Sequence, residues 1–422
     1  MTLFAYATLW VFVFALPWET IFVIIPGVGV IGKATGMLAL GSTLGLALVS
    51  GHVRRWHRFH IAAFLFVIWL GLVLFFFHSK DELPNALWTF LQLFLVLWIV
   101  WELAPSWGQL IGLLTAYVLG AHIAALGTIL TYRREAGLLR RFAAGGGDPN
   151  DLAMTLALAL PMAWYLGMTY RRSLLVWVNR AYLPIGLLAI GLTGSRGGML
   201  ATMVALTIVP LTMLRLSPGR RAAAIGLLIL SGALALAIVP QGIVERLSTT
   251  RTEVTQGGVS GRLRIWKAGL QAFTRQPVVG YGPGGFRRAV RPYLGSTTQV
   301  AHNSYLSVLV EEGLVGFLLY AMMVSAVLLA VLRLPTIERR FALVLLATLA
   351  TAMFPLTWED RRPVWFILAA LLGLARAPVD VQRSVAGQPL PRPPAPGAGV
   401  GRTARTVRPI ASRRYDDTGG VP

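Results

Sequence analysis

The sequence contains no cysteine and has few charged residues of either sign. Without cysteine, the chain has no disulfide bonds, no thiolate nucleophile and no cysteine-ligated metal. Charged residues make up 13% of the 422 residues, whereas ordinary soluble domains contain about 25%. Hydrophobic residues make up 56%, and the mean hydropathy is +0.67. This composition all but excludes a water-soluble globular protein and indicates that the surrounding solvent is lipid.

Lysine and acidic residues are particularly scarce. Asp and Glu total 17 against 38 Lys and Arg, which gives a net charge of +21, and only three of the basic residues are lysines. A GC-rich genome favours arginine over lysine and accounts for much of this bias. Arginine is nevertheless the side chain whose planar, permanently charged fork binds phosphate bidentately. The positions of the arginines in a membrane protein are therefore informative.

Twelve apolar segments approach the roughly 20 residues that are needed to cross a bilayer. They cover residues 3–31, 34–50, 59–77, 85–103, 106–131, 151–169, 181–194, 197–214, 222–240, 302–332, 341–356 and 363–376. The first contains Pro17 and Glu19, so we expect it to be broken or re-entrant. It does not resemble a cleavable signal peptide, because no basic region precedes it and no small-residue cleavage site follows it. The sequence therefore predicts an all-α polytopic membrane protein with about 12 transmembrane helices.

An even number of spans places both termini on one side of the membrane. Short loops on that side carry twelve basic residues, and short loops on the other side carry nine. The positive-inside rule therefore favours cytoplasmic termini. Basic residues on the opposite side run against this bias, and we expect them to have a functional reason.

The one long loop covers residues 241–301 and is expected to be extracytoplasmic. It holds eight Arg and one Lys against two Glu, a local net charge of +7. Its centre, GRLRIWKAGLQAF, has apolar residues at a spacing typical of an amphipathic helix that lies at the membrane face. These residues are Leu263, Ile265, Trp266, Leu270 and Phe273.

The C-terminal segment, residues 378–422, is rich in Pro, Gly and Arg, as in QPLPRPPAPGAGVGRTARTVRP, and has few large apolar side chains. This composition predicts a disordered cytoplasmic tail. Residues 1–376 then form one transmembrane domain that includes the long loop. We expect loss of the tail to leave the chemistry intact.

The first candidate motif is Gly-Leu-Thr-Gly-Ser-Arg-Gly-Gly at residues 191–198, a glycine-rich turn between two spans at the expected outer surface. Glycines let backbone N–H groups approach an anion closely, and Ser195 can donate as well, so the turn suits a phosphate beside Arg196. The alternative is a tight loop whose arginine extends to the membrane surface.

The second motif combines SGRLRIW at residues 260–266 with PVVGYGPGG at residues 277–285 and the following Phe-Arg-Arg. Arg262 and Arg264 lie near the start of the predicted amphipathic helix, where the helix N-terminus favours an anion. The glycine run lacks the flanking strand and Gly-Lys-Ser/Thr of a P-loop, so nucleotide binding is not supported. An interfacial basic helix that binds anionic lipid heads is the alternative.

The third motif, AHNSYLSVLVEEGLVG at residues 301–316, opens the tenth span. On a helical wheel, Gly313 and Gly316 share the face of His302 and would allow close packing beneath it. Neighbouring arginines disfavour the charged imidazole, which leaves it neutral and able to accept a proton. Neither Glu311 nor Glu312 is a local partner for it, and the alternative is a structural interfacial histidine. The other five histidines form no metal-ligand cluster with acids.

In this order on such a chain, the three motifs resemble the O-antigen ligase and polymerase superfamily of bacterial envelope glycosyltransferases. The resemblance rests on TGSRGG, on SGRL with IWKAGL and PVVGYGPGGF, and on a His-Asn that precedes Gly-x-x-Gly. The segment DPNDLA at residues 148–153 also resembles a recurring family feature. The resemblance covers roughly residues 1–376, while the tail lies outside it.

The resemblance implies transfer of a glycan from undecaprenyl diphosphate to an acceptor hydroxyl at the periplasmic face of the inner membrane. In a ligase of lipopolysaccharide assembly, the acceptor is lipid A-core. The family implies an inverting reaction without metal, nucleotide or other cofactor. The partners are then these two lipids and the surrounding membrane lipids, and no nucleic acid.

On this hypothesis, His302 is the general base, and Arg196 and Arg262 bind the diphosphate and stabilise its developing charge. Arg264 and Arg288 are further candidates for the diphosphate. The supporting residues are Ser195, Asn303, Gly313 and Gly316.

Three other functions remain open. A repeat-unit polymerase uses the same donor with a second lipid-linked glycan, and a protein O-oligosaccharyltransferase uses Ser or Thr of a pilin-like protein. A transporter or anion channel is less favoured, because ionisable residues are nearly absent from the middle of the spans.

Overall fold

The computed structural model describes residues 1–19, 21, 23–25, 29–76, 83–135, 141–169, 174–248, 261–295 and 300–377. The predicted disordered tail at residues 378–422 lies outside the described residues, and so do parts of the long loop, residues 249–260 and 296–299.

Helices account for nearly all of the described chain, and each of the twelve predicted apolar segments contains one. They are α1 (Thr2–Ala15), α2 (Ile31–Ser50), α3 (Arg58–Phe76), α4 (Leu83–Leu103), α5 (Trp107–Glu135), α6 (Pro149–Thr169), α7 (Leu174–Thr193), α8 (Arg196–Leu206), α9 (Ile208–Met213), α10 (Pro218–Ile238), α11 (Gln241–Ser248), α12 (Arg262–Arg275), α13 (Phe286–Leu294), α14 (Ser304–Val331), α15 (Thr336–Met353) and α16 (Arg362–Arg376). A single turn of 3-10 helix at Ala144–Gly146 precedes α6.

The first apolar segment is broken, as its proline indicated. Helix α1 ends at Ala15, two residues before Pro17, which has no backbone N–H to continue the helical pattern. A small antiparallel hairpin follows, in which β1 (Val23–Ile25) pairs with β2 (Gly29–Val30). The helix of this segment therefore covers Thr2–Ala15, and α2 starts directly after the hairpin.

Eight helical segments of the described chain are long and apolar enough to cross a membrane. They are α2, α4, α5, α6, α7, α8 with α9, α10 and α14. Helix α1 and the part of α3 from Arg58 to Val73 are apolar but shorter. The protein is thus a multi-pass membrane protein, and twelve as the exact number of crossings stays a prediction.

The helices connect two opposite faces of the molecule. At one face, Tyr6 Oη donates to the carbonyl of Gln109 over 2.8 Å, and Arg376 is hydrogen-bonded to His57. We call this the termini face, because both ends of the described chain lie there. The other, which we call the site face, is marked by the contacts Glu19–Arg362, Asp151–Trp358 and His302–Thr357.

Helices α5, α6 and α16 form the centre of the bundle. Tyr165 of α6 stacks on Phe341 of α15 with ring centroids 4.3 Å apart, and Tyr117 of α5 stacks on Phe366 of α16. Alanines on the buried α6 let neighbouring helices approach closely, which is how helices pack where lipid removes most of the hydrophobic driving force. The site-face end of α6 is therefore a rigid position for functional side chains.

The long loop contains the predicted amphipathic helix, α12, together with α11 and α13. We call residues 261–295, which include α12 and α13, the cap. The buried face of α12, with Ile265 and Ala272, belongs to a small apolar cluster that also contains Phe286 of α13 and Leu306 and Val310 of α14. Ile265 and Ala272 thus pack on protein, whereas Leu263 and Leu270 of the same helix are exposed.

Candidate functional site

His302 lies just before α14 in a backbone conformation that few side chains adopt. Its φ is +46°, and it is the one non-glycine residue with positive φ in the described part of the chain. Such a left-handed residue costs about 1 to 2 kcal/mol, so it persists only when its neighbours hold it. Its N–H donates to Thr357 Oγ1 over 3.0 Å, and Trp266 Nε1 of the cap donates to the preceding carbonyl, that of Ala301.

The two residues that follow His302 fix the start of α14. The Asn303 side chain accepts from the N–H of Leu306 over 3.0 Å and so caps the helix. Ser304 Oγ donates to the carbonyl of Leu356 and accepts from the N–H of Trp358. The supporting role predicted for Asn303 is therefore a helix cap that holds the histidine in place.

A positive and a negative charge act on the half-buried His302 imidazole. Burial lowers its pKa below the usual value for histidine, the positive charge of Arg262 lowers it further, and the carboxylate of Asp148 acts in the opposite sense. The imidazole is therefore neutral at neutral pH. This is the protonation state that a general base requires.

Arg262 is the first residue of α12, directly after Gly261, whose φ of +74° turns the chain into the helix. The side chain is half-buried, burial lowers its pKa, and Asp148 opposes that change. Arg262 and His302 therefore share Asp148 as an electrostatic neighbour, and we call these three residues the His302 cluster.

The role of Asp148 was not predicted, although the segment that contains it, residues 148–153, resembles a recurring family feature. Asp148 Oδ1 accepts from the N–H groups of Asn150 and Asp151, over 2.6 Å and 3.3 Å, at the start of α6. The signal in the sequence was an Asp just before a helix, which is typical of a cap. That its charge also acts on a distant histidine becomes visible only in the fold.

The glycine-rich turn between α7 and α8 places Ser195 as a buried helix cap. Ser195 Oγ accepts from the N–H of Gly198 over 3.1 Å and donates to Asn150 Oδ1 over 3.0 Å. Its hydroxyl is therefore used within the protein, and the expectation that it also donates to a phosphate is not supported. Arg196, half-buried, follows as the first residue of α8.

The glycines after Arg196 have a packing role. A Cβ atom at Gly198 would lie 2.4 Å from Cβ of Ala153, and one at Gly197 would lie 2.7 Å from side-chain atoms of both Met154 and Pro355. Both distances are far inside van der Waals contact. These glycines allow α8 to pack against α6 and the segment before α16. From the sequence, we expected them instead to let backbone N–H groups bind a phosphate.

Arg141 is a further arginine at this turn that the motif analysis missed. Its Nε donates to the carbonyl of Thr193 over 2.9 Å, and its Nη2 donates to Asn150 Oδ1 over 2.7 Å. Asn150 thus accepts from both Arg141 and Ser195, while its own N–H is bonded to Asp148. Asn150 therefore connects the turn that carries Arg196 to the His302 cluster.

Gly313 breaks α14, so the helical wheel drawn from His302 through Gly316 is wrong. Its φ of +66° and ψ of −171° are not helical, and the N–H of Leu314 donates to Pro277 of the cap over 2.8 Å. A Cβ atom at Gly280 would lie 2.5 Å from the N atom of Gly313. The glycine run of the cap therefore fits into the break in α14.

Two other residues of the third motif have structural partners. A Cβ atom at Gly316 would lie 3.1 Å from the indole of Trp69 on α3, so this glycine allows α3 and α14 to approach. Glu311 accepts from the N–H groups of Gly284 and Phe286 and so caps α13. Consistent with the sequence analysis, Glu311 serves another element and not His302.

The structure does not bring the remaining two predicted arginines into the His302 cluster. Arg264 is exposed and lies two positions after Arg262, which places it about 200° around α12. Arg288 is exposed on α13 and donates to the carbonyl of Tyr281.

Among the described residues, no group of three or more His, Asp and Glu side chains is arranged to hold a metal ion.

A family model described as O-Antigen ligase matches residues 181–321. This segment is similar to the O-antigen ligase family. The O-antigen ligase segment runs from α7 through the cap into α14 and contains Arg196, Arg262 and His302. The resemblance to the O-antigen ligase and polymerase superfamily is thereby confirmed, and the family indicates a membrane enzyme that processes glycans. No curated protein matches the chain.

Asp148, Asn150 and Arg141 precede the O-antigen ligase segment. Arg141 and Asn150 are nevertheless hydrogen-bonded to it, and the charge of Asp148 acts on its Arg262 and His302. The candidate site is therefore assembled from the family segment and from the chain that comes before it.

Proposed function

We propose that this protein transfers a glycan from undecaprenyl diphosphate to lipid A-core at the periplasmic face of the bacterial inner membrane. The family of residues 181–321 supports glycan transfer in a membrane. The excess of basic residues in the short loops of the termini face supports cytoplasmic termini, which would place the His302 cluster on the periplasmic side.

The observation that carries this proposal is that Asp148 acts electrostatically on His302 and Arg262 and is joined through the hydrogen bonds of Asn150 to the turn of Arg196. A neutral base next to permanently charged phosphate-binding side chains is the arrangement that attack on a diphosphate-linked sugar requires.

In the proposed reaction, the acceptor hydroxyl oxygen attacks the anomeric carbon on the side opposite the diphosphate. The new carbon–oxygen bond forms as the bond to the diphosphate oxygen breaks, and the hydroxyl proton moves to the His302 imidazole. Asp148 then stabilises the imidazolium. Arg196 and Arg262 stabilise the charge that builds on the leaving diphosphate, and Arg141 adds to the positive potential.

The test is transfer by the purified protein reconstituted in vesicles with a lipid-linked glycan. Three acceptors are supplied in separate reactions: lipid A-core, a second lipid-linked glycan and a pilin-like protein. We expect lipid A-core to gain the mass of the glycan. A gain of mass on the second carrier would instead identify a polymerase, and a gain on the protein would identify an O-oligosaccharyltransferase. Uptake or conductance without any transfer would overturn the enzyme assignment itself.

A further inference from the structure

A cavity of about 380 Å³ lies between α6, α7 and α10, away from the His302 cluster. Arg180 and Arg220 line it together with Trp177, and its apolar lining includes Leu183 and Leu227. Arg180 lies in the second turn of α7 and Arg220 in the first turn of α10, and both helices begin at the termini face. We call this cavity the α7–α10 groove.

No acidic residue occurs in the sequence between Asp151 and Glu245. Both helices that contribute the arginines of the groove, and the loop before each of them, are therefore free of carboxylates. The groove has a positive end without a local counter-charge, so an anion from outside the chain would be attracted to it.

The two arginines are presented differently. Arg180 is partly held by the protein, since its Nη2 lies 3.5 Å from the carbonyl of Gly167 and its guanidinium lies 5.4 Å from the ring of Trp177. Arg220 is exposed and has no hydrogen bond or ion pair with the described residues. The guanidinium of Arg180, which the protein holds in place, and that of Arg220, which is exposed, can together bind a phosphate group.

The position of the groove selects an amphiphilic occupant. Only 6% of the span in α10 is buried within the protein, so most of this helix faces lipid. The groove beside it has arginines where the helices begin and apolar side chains deeper along them. A phospholipid would place its phosphate at the arginines and an acyl chain along Leu183 and Leu227, with Trp177 at the interface.

We propose that the α7–α10 groove binds an anionic phospholipid of the leaflet at the termini face. This site lies at the opposite face from the His302 cluster, so the proposal does not rest on the proposed function. The bound lipid would fix α10, which has little other protein contact, against α7. Since α7 leads directly to the turn of Arg196, occupancy would also steady that turn.

The test compares lipid retention by the full-length protein in detergent, measured by native mass spectrometry during titration with phosphatidylglycerol or phosphatidylcholine. The variant is the double substitution Arg180→Gln with Arg220→Gln. Its matched control is Arg333→Gln with Arg339→Gln, which removes the same charge from the termini face at residues that do not line the groove. We expect the groove variant to bind phosphatidylglycerol about tenfold more weakly than the wild type, and the control to bind it normally. Phosphatidylcholine should bind equally weakly to all three.

Equal losses in the groove variant and the control would overturn the proposal and indicate a general effect of positive charge. Unchanged binding by the groove variant would overturn it as well. The single substitution Arg220→Gln removes no hydrogen bond or ion pair within the described chain, so it should fold even if the double variant does not, and it should lose part of the affinity. Inorganic phosphate added at the concentration of the lipid should not displace it, and displacement would show that the site recognises a free anion instead.

Discussion

At the scale of single residues, His302 owes its protonation state to side chains that are distant from it in the sequence. Arg262 precedes it by 40 positions and Asp148 by more than 150. The sequence indicated that arginines would keep the imidazole neutral, and the lowered pKa of His302 has this direction. The opposing carboxylate could not be predicted, because nothing in the spacing of residue 148 relates it to residue 302.

The pH dependence of transfer follows from these two charges. A general base works only when unprotonated, so kcat/KM should fall as the pH drops through the pKa of His302, which lies below the usual value for histidine. Arg262→Gln removes a positive neighbour and should move the acid limb of the profile to higher pH, whereas Asp148→Asn should move it to lower pH. Arg264→Gln, on the exposed side of α12, is the matched control and should leave the limb in place. A limb that does not move in either cluster variant would exclude His302 as the titrating group.

The left-handed backbone of His302 allows its chemical role to be separated from its structural one. Glycine adopts a φ of +46° without strain, so His302→Gly should change the free energy of unfolding by less than about 1 kcal/mol. Loss of a general base should reduce transfer by roughly 10² to 10⁴-fold. Thermal unfolding followed by tryptophan fluorescence, together with the transfer assay, measures both effects. Normal transfer by this folded variant would show that the imidazole is not the base.

At the scale of elements, the apolar segments predicted where helices occur, because about 20 consecutive apolar residues in a membrane have few alternatives to a helix. The cap and the break at Gly313 were not predicted. A helical wheel assumes an uninterrupted helix, and glycine in a sequence does not reveal whether its φ will be positive. The glycine run at residues 277–285 lacks the features of a P-loop, and only the close approach of Gly280 to Gly313 shows that it serves packing.

Substitution of the glycines at this junction should separate the cap from α14. A Cβ atom at Gly313 would lie 2.3 Å from the carbonyl oxygen of Val278, and one at Gly280 would overlap the Gly313 backbone. Either Gly→Ala change should cost about 1 to 3 kcal/mol of stability and reduce transfer, because Trp266 of the cap holds the residue before His302. Gly226→Ala on α10, where the new methyl group meets no atom within 4 Å, is the control. Equal unfolding temperatures in all three variants would contradict this role of the junction.

At the scale of the whole molecule, the arrangement of two faces gives the net charge of +21 distinct meanings. On the termini face, basic residues lie at helix ends and in the adjoining loops, where the carboxylate of Glu102 acts on Arg54. On the site face, arginines meet carboxylates and a histidine, as in the His302 cluster and in the ion pair of 2.6 Å between Arg362 and Glu19. Composition alone could not separate these two groups of basic residues. The order of the helices along the chain separated most of them into two faces.

The absence of cysteine makes the orientation of the two faces measurable. Single substitutions Arg264→Cys on the cap and Arg333→Cys on the termini face each introduce the only thiol of the chain. With a membrane-impermeant maleimide, Arg264→Cys should react in cells whose outer membrane alone is permeabilised, and Arg333→Cys only after the inner membrane is opened. The reverse pattern would place the His302 cluster in the cytoplasm and exclude a periplasmic reaction.

The hydrogen bonds of Asn150 also limit how this protein can be recombined with its relatives. A chimera cut at residue 181, where the family segment starts, would combine the Ser195 turn of one parent with the Asn150 and Asp148 of another. The same exchange would separate Ser304 from the backbone of Leu356 and Trp358 if it also ended at residue 321. We therefore expect a functional exchange to carry residues 141–151 and 354–361 along with the segment, since hydrogen bonds join these stretches to it.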